Sequence, residues 1–242
     1  ISCGLRYSYR CLIMKNKLRC LHISDIHNFF EPHFKYDLDV DIIVCTGDAQ
    51  CYTETEFHNF VEWYQGFPIL YKIYVAGNHD KFIYENRKFC KKVFEEAGII
   101  YLDKESVVID GIKFYGEPTT PTFGNWFFMA NRDKMCKHWA QVPDDTDVLL
   151  THGPPKGILD LTKNRAGDLE MCGCNALNSR IKELKQLQAV CYGHIHPMKG
   201  IINTGLRIID TVTYSNAASV EDGRFDLGII HFGNTINIEK NE

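Results

Sequence analysis

Leu18-Arg19-Cys20-Leu21-His22-Ile23-Ser24-Asp25-Ile26-His27 is a short apolar run that stops at an acid and a histidine. Such a run predicts a core strand over 18–24. The pattern recurs at 41–46 before Gly47-Asp48, at 72–76 before Gly77-Asn78-His79-Asp80, at 148–151 before His152-Gly153, and at 189–192 before Gly193-His194-Ile195-His196. Helix-period stretches at 54–64, 84–97 and 174–187 lie between these runs. Strands alternating with helices are the signature of βαβ units, so parallel central strands are expected. A hairpin signal (106–109, Asp110-Gly111, 112–115) and further strands near 206–215, 225–232 and 235–238 add antiparallel neighbours. The fold class expected is α/β with mixed sheets.

The composition of 242 residues, 45% hydrophobic with 18 Gly and 8 Pro, excludes disorder and collagen-like structure. No linker, repeat or low-complexity tract divides the chain, and its length suits one α/β domain. A formal charge of −4, from 27 basic and 31 acidic residues with no block of one sign, gives no basic stripe for nucleic acid and no polybasic membrane patch. Ten cysteines are too dilute for a secreted disulfide scaffold, and Cys20, Cys45 and Cys191 fall inside apolar runs, so reduced thiols are expected. Cys172 and Cys174 have no second cysteine pair beside them and read as turn residues before a helix rather than a zinc site. Residues 1–13 carry no signal-peptide pattern, and Met14 precedes the first strand. They are therefore expected to be an upstream extension or a cloning remnant, with 14–242 a single domain. No run reaches the roughly 18 apolar residues of a membrane span. A soluble, cytoplasmic protein is expected, with a homo-oligomer allowed.

In open α/β sheets, functional residues gather beyond the carboxyl ends of the strands, so five ligand-bearing strand ends can converge although the sequence scatters them. Asp25, His27, Asp48, Asn78, His152, His194 and His196 then form one donor set. Its residue types suit two divalent ions about 3.5–4 Å apart, bridged by one carboxylate. Asp48, alone after a glycine, is the better bridge, because Asp25 is paired with His27. Four imidazoles and an amide oxygen without a thiolate favour Mn, Fe, Zn, Ni or Co, with Mn preferred. Two carboxylates leave such a site positively charged, which suits a small phosphate-ester substrate.

The strings D-x-H, G-D, G-N-H-D, H and G-H-x-H, complete and in order, resemble the calcineurin-like metallophosphoesterases. The resemblance runs from about residue 18 to 196, and more loosely through Thr213-Tyr214-Ser215-Asn216-Ala217. It implies a four-layer sandwich of two mixed β-sheets flanked by helices. It also places Asp25, His27, Asp48 and His196 around one metal, and Asp48, Asn78, His152 and His194 around the other. His79 would stand beside the leaving group as proton donor, with Asp80 orienting it, and Asn78 and His79 would touch substrate.

Gly47-Asp48-Ala49-Gln50-Cys51-Tyr52 lacks the arginine of the serine/threonine phosphatase branch. Tyr52 is one residue too far along for the iron-binding tyrosine of purple acid phosphatases and reads as loop packing. The long segments 116–132 and 153–173 are candidate active-site loops. They resemble the small single-domain branch that includes class III cyclic nucleotide phosphodiesterases and metallophosphoesterase-domain proteins. Phe123, Trp126, Phe127 and Phe128 form a candidate aromatic wall for a nucleobase, and Arg132, Lys156, Lys163 and Arg165 are candidate phosphate contacts. The expected activity is hydrolysis of small phosphodiesters, with cyclic nucleotides as candidate substrates, by hydroxide attack on phosphorus. A phosphomonoesterase, a nuclease of the same superfamily and a non-catalytic nucleotide binder are the rivals.

Overall fold

Each central strand divides its side chains between two cores. In the computed structural model, which describes residues 17–164, 166–198, 200–219, 231 and 233–239, strand β1 (Lys17–Ile23) turns Leu18 and Cys20 to one side and Leu21 and Ile23 to the other. Strands β2 (Ile42–Cys45) and β3 (Tyr71–Tyr74) do the same, with Ile42, Val44 and Ile73 on the first side and Ile43, Cys45 and Tyr74 on the second. This is the two-residue pleat period of a sheet covered on both faces, and it explains why β2 reads as an unbroken apolar run. The sheet is completed by β4 (Ile100–Tyr101) and β15 (Asn234–Glu239) in the order β15-β1-β2-β3-β4. All its pairings are parallel except β15 with β1.

The second sheet repeats the scheme. It comprises β5 (Glu105–Ile109), β6 (Ile112–Glu117), β9 (Val148–Thr151), β12 (Ala189–Tyr192), β13 (Gly205–Ile209) and β14 (Val212–Asn216), ordered β13-β14-β12-β9-β6-β5. Its inner strands are parallel and its outer pairs antiparallel. Val148, Leu150, Ala189 and Cys191 meet the first sheet's inner face, while Leu149, Val190 and Tyr192 face outward. The β5–β6 hairpin turns through Asp110 (φ 48°) and Gly111 (φ 82°), the left-handed pair that the Asp-Gly signal predicts. Two small ribbons lie outside the sheets: β7 (Thr120–Pro121) with β8 (Met129–Ala130), and β10 (Leu161–Lys163) with β11 (Leu169–Met171).

Helices close both outer faces. Helix α1 (Glu54–Gln65) starts at a capping box between Thr53 and Glu56 and lays Phe57, Phe60, Val61 and Tyr64 on the first sheet. Beside it lie α2 (Lys81–Glu85) and α3 (Arg87–Glu96), the latter burying Cys90 and Phe94. Helices α4 (Met135–Trp139) and α5 (Asn175–Glu183) cover the second sheet with Met135, Trp139, Leu177 and Ile181. Helix, sheet, sheet, helix is the four-layer α/β arrangement expected from the resemblance.

Several expected boundaries move. The helix expected over 84–97 is two helices, broken at Asn86 (φ −125°, ψ 38°), whose side-chain amide donates to Phe82 O at 3.0 Å. A short amide side chain competes with the helical ladder in this way. The helix expected over 174–187 ends at Glu183, because Leu184 turns extended (ψ 94°) to bury its side chain. The run 206–215 is a hairpin rather than one strand, turning at Asp210 (φ 54°). The segment 1–13, Arg165 and most of the strand expected over 225–232 lie outside the described residues. Cys20, Cys45 and Cys191 are fully buried, and the cysteines among the described residues are unbridged. Among those residues no helix is long and apolar enough to cross a membrane.

Candidate metal centre

The carboxyl ends of β1, β2 and β3 meet those of β9 and β12, and backbone hydrogen bonds fasten them together. Asp25 N donates to Gly47 O (2.9 Å), His27 N to Asp48 O (3.0 Å) and Gly193 N to His152 O (3.0 Å). The two sheets are joined across the centre where His152 Nδ1 donates to Thr46 O at 2.7 Å and His194 N donates to the Asp25 carboxylate at 2.9 Å. The packing explains two of the glycines. A Cβ on Gly77 would lie 2.2 Å from Asp48 Oδ1, and one on Gly193 would lie 1.9 Å from Asp25 Oδ2. Asp25, His27, Asp48 and His194 all adopt left-handed backbone (φ 54°, 47°, 55° and 66°). Non-glycine residues accept that conformation at a cost, and such residues concentrate at functional sites.

The expected ligands form two groups, Asp25 with His27 and His196, and Asp48 with His152 and His194; within each, the candidate ligand atoms lie within 4.8 Å of one another. In the first group, His196 Nε2 is 3.1 Å from Asp25 Oδ1 and 3.3 Å from His27 Nε2. His27 Nδ1 is 3.1 Å from Gln50 Oε1, an acceptor, which assigns the proton to Nδ1 and leaves Nε2 as a lone pair. In the second group, His152 Nε2 faces Asp48 Oδ2 at 3.2 Å and Asn78 Oδ1 at 3.0 Å. Its Nδ1 proton is already committed to Thr46 O, so three acceptors converge on one point.

The electrostatics agree with a cation site. Burial opposes charge on Asp25 and Asp48, yet the surrounding histidines more than offset it and hold both carboxyls well below the usual carboxylate range. Burial lowers His27 and brings His194 to about 3, so both imidazoles are neutral and available as ligands. Burial also opposes a charge on His152, but Asp48 beside it raises this histidine to about 9. The pull on a proton at that point is the pull the same atoms would exert on a divalent ion. Imidazole nitrogens, carboxylates and an amide oxygen converging without a thiolate therefore fit the divalent metal that the resemblance implies.

The structure corrects the expected surroundings of His79. Asp80 does not orient it. The Asp80 carboxylate is fully buried and accepts from Asp48 N, Gln50 N, Cys51 N, Gly77 N and the Tyr74 hydroxyl at 2.6–3.3 Å, tying the loops after β2 and β3 together. Burial and the neighbouring Asp48 push its carboxyl up to about 6. The partner of His79 is Tyr52, whose hydroxyl lies 2.6 Å from Nδ1, so Tyr52 is not plain loop packing. His79 Nε2 is 4.0 Å from Asp48 Oδ2, and His79 N donates to Asp48 Oδ1 at 2.8 Å.

The aromatic wall is half as wide as expected. Trp126 lies over His79 with ring centroids 4.4 Å apart, and Phe123 lies against His194 at 5.0 Å. Phe127 and Phe128 turn away and pack on Tyr84 and on the core between the first sheet and α1. Beside His194 opens a cavity of about 720 Å³, walled by Phe123, Pro154 and Ile195 and reached by Arg132 and Lys163. Both candidate loops thus contribute to it. Two Arg132 nitrogens donate to the backbone carbonyls of Cys172 and Gly173, and no carboxylate pairs with Arg132 or Lys163 among the described residues. Lys156 does not line this cavity. Cys172 Sγ donates to Asp160 O, whereas Cys174 caps α5 and accepts from Trp139, so the two thiols have separate structural tasks.

Sequence reasoning missed Tyr52, Gln50 and Thr46. The Thr53-x-x-Glu56 capping pattern, which places Tyr52 just outside a helix and beside the centre, was the available signal for the first.

Residues 18–198 match the family described as calcineurin-like phosphoesterase. The chain is 29% identical over 226 residues to human metallophosphoesterase domain-containing protein 1, covering 83% of this chain and 65% of that one. It is 31% identical over 219 residues to the UPF0046 protein K07C11.7 of Caenorhabditis elegans, covering 85% of this chain and 71% of the relative. A further relative, probable rhamnogalacturonate lyase C of Emericella nidulans, is 34% identical over 192 residues; these are 75% of this chain but 17% of that one.

Proposed function

The chain belongs to the calcineurin-like phosphoesterases, and on that premise we propose that it is a dinuclear metal-dependent hydrolase of small phosphodiesters. The observation that carries the diester preference is the cavity of about 720 Å³ beside His194, room for an ester substituent next to the metal ligands. Asp25, His27, Asp48 and His196 would hold one ion, and Asp48, Asn78, His152 and His194 the other, with Mn favoured. Divalent ions there supply charge to the phosphoryl oxygens and acidify water.

The protein's own groups bind, orient and move a proton. Arg132 and Lys163 bring two positive charges to a cavity that also holds Glu170, a net positive charge that favours an anionic substrate. Phe123 and Trp126 offer exposed ring surface for its organic part. His79, with Nε2 at the edge of the centre, donates a proton to the departing oxygen.

The test is a panel of phosphomonoesters, open diesters, 2′,3′-cyclic and 3′,5′-cyclic nucleotides and a phosphopeptide, assayed after chelator stripping and reloading with Mn²⁺, Zn²⁺, Ni²⁺ or Mg²⁺. Diesters should turn over faster than monoesters and the phosphopeptide with at least one metal. Faster phosphopeptide or monoester turnover overturns the diester preference, and no turnover with any metal overturns the enzyme reading.

A further inference from the structure

We propose that Tyr52 is a positioning residue for His79, holding the imidazole by Nδ1 so that Nε2 faces the scissile ester. This rests on the reading of His79 as the proton donor. The phenol oxygen lies 2.6 Å from Nδ1, and the two rings meet edge to face at 6.1 Å. On the other side of the bond the imidazole presents Nε2 toward Asp48 Oδ2, 4.0 Å away. Trp126 lies against the ring at 4.4 Å and His27 meets it edge-on at 5.3 Å. One hydrogen bond and two ring contacts therefore fix the direction in which Nε2 points.

Tyr52 is itself anchored. Its backbone N–H donates to Glu56 Oε2 at 3.1 Å, and the same carboxylate oxygen accepts Thr53 N at 2.8 Å and the Thr53 hydroxyl at 2.9 Å. That carboxylate belongs to the capping box that starts α1, so the placement of the helix is also the placement of the phenol. Asp80, the neighbouring acid, has no oxygen to spare for His79, because backbone N–H groups and Tyr74 take both.

A phenol suits this task because a hydroxyl both donates and accepts. When His79 carries both protons, Nδ1–H donates to the Tyr52 oxygen. As the oxygen of an incoming hydroxide bonds to phosphorus and the bond from phosphorus to the leaving oxygen breaks, the leaving oxygen takes the bonding pair and then the Nε2 proton, and departs as an alcohol. The imidazole is left neutral with its remaining proton on Nδ1, still bonded to Tyr52. In the other neutral tautomer the phenol turns its own proton toward Nδ1. The ring thus keeps one orientation through the cycle, whereas a carboxylate in that place can only accept.

The test is Tyr52→Phe, which keeps the ring and removes the hydroxyl. kcat and KM are measured on a diester series running from alkyl to p-nitrophenyl leaving groups, at matched metal content, for wild type, Tyr52→Phe, His79→Ala and the double variant. General acid catalysis matters most for basic leaving groups. Tyr52→Phe should lower kcat about tenfold for alkyl leaving groups and less than about twofold for p-nitrophenyl, with KM unchanged. In the His79→Ala background it should cost nothing further. A Tyr52→Phe loss that is equal across the series, or that persists without His79, overturns the positioning role and leaves His79 as the acid. A His79→Ala loss that is itself flat overturns the proton-donor reading, and the role of Tyr52 falls with it.

Discussion

His152, in one ligand group, is wholly shielded from solvent, whereas His27 and His196, in the other, keep side chains 11% and 15% exposed. The two groups also differ in what holds their imidazoles. His152 is fixed by a backbone carbonyl, Thr46 O, at the end of a central strand, and His27 by the side-chain amide of Gln50. A backbone carbonyl anchored at a strand end has no rotamer to change, while a side-chain amide on a loop has several. Around these two histidines, chemically similar donors thus make a stiffer inner position and a softer outer one, while His194 of the inner group is itself partly exposed to the cavity.

Replacing the one carboxylate expected to serve both positions tests the contrast most severely. Asp48→Ala should lose both ions by elemental analysis and lower kcat/KM at least about 10³-fold. Retention of either ion at full occupancy would show that the two positions are independent and that Asp48 does not bridge. Next in size is the order of metal loss. Chelator titration should release ions in two steps, the outer one first, and His27→Ala should abolish the early step while sparing the late one. Simultaneous release in the wild type would erase the distinction. Gln50→Ala should weaken the outer ion about 10- to 100-fold without touching the inner one, the usual effect of removing the partner that orients a metal-bound histidine. Equal weakening of both ions would mean that the amide supports the whole centre.

The smallest effect is a pH signature of the metal-free protein. His152, raised to about 9, takes up a proton more readily when folded than when unfolded. Its contribution is complete below the unfolded value of about 6.5 and is lost as pH rises through about 9. His27, lowered by burial, has the opposite sign, and its contribution is lost as pH falls below about 6.5. Urea midpoints against pH should therefore lose part of their alkaline slope in His152→Asn and part of their acid slope in His27→Asn. An unchanged alkaline slope in His152→Asn would remove the electrostatic account of the inner position.

How far the sequence carries depends on where the cause of each feature lies. The ligand strings were legible because each is local: a strand must end, a glycine must let the chain turn or approach closely, and an acid or histidine follows at once. The sheets were legible because Ile42, Ile43, Val44 and Cys45 have to be buried on both faces. The partner of His79 was not, because Tyr52 is 27 residues away and the contact exists only after two loops are docked. The role of Asp80 was hidden for another reason: four of its donors are backbone N–H groups, which leave no mark on residue identity. Phe127 and Phe128 differ from Phe123 and Trp126 only in the direction the loop gives them, and composition carries no direction. Asn86 shows a weak local preference that defeated a helical pattern otherwise sound on both sides.

The Asp80 carboxylate makes the inner machinery heritable as a unit. Because one side chain gathers the backbone of 48–51 and of 77, neither loop can drift in evolution or in the laboratory without the other. The β10–β11 ribbon, Lys163 included, makes none of those bonds and is free to diversify. A library that randomises this rim would sample new substrates on an unaltered metal-loading background, and a library that includes position 80 would mostly sample proteins with no centre at all.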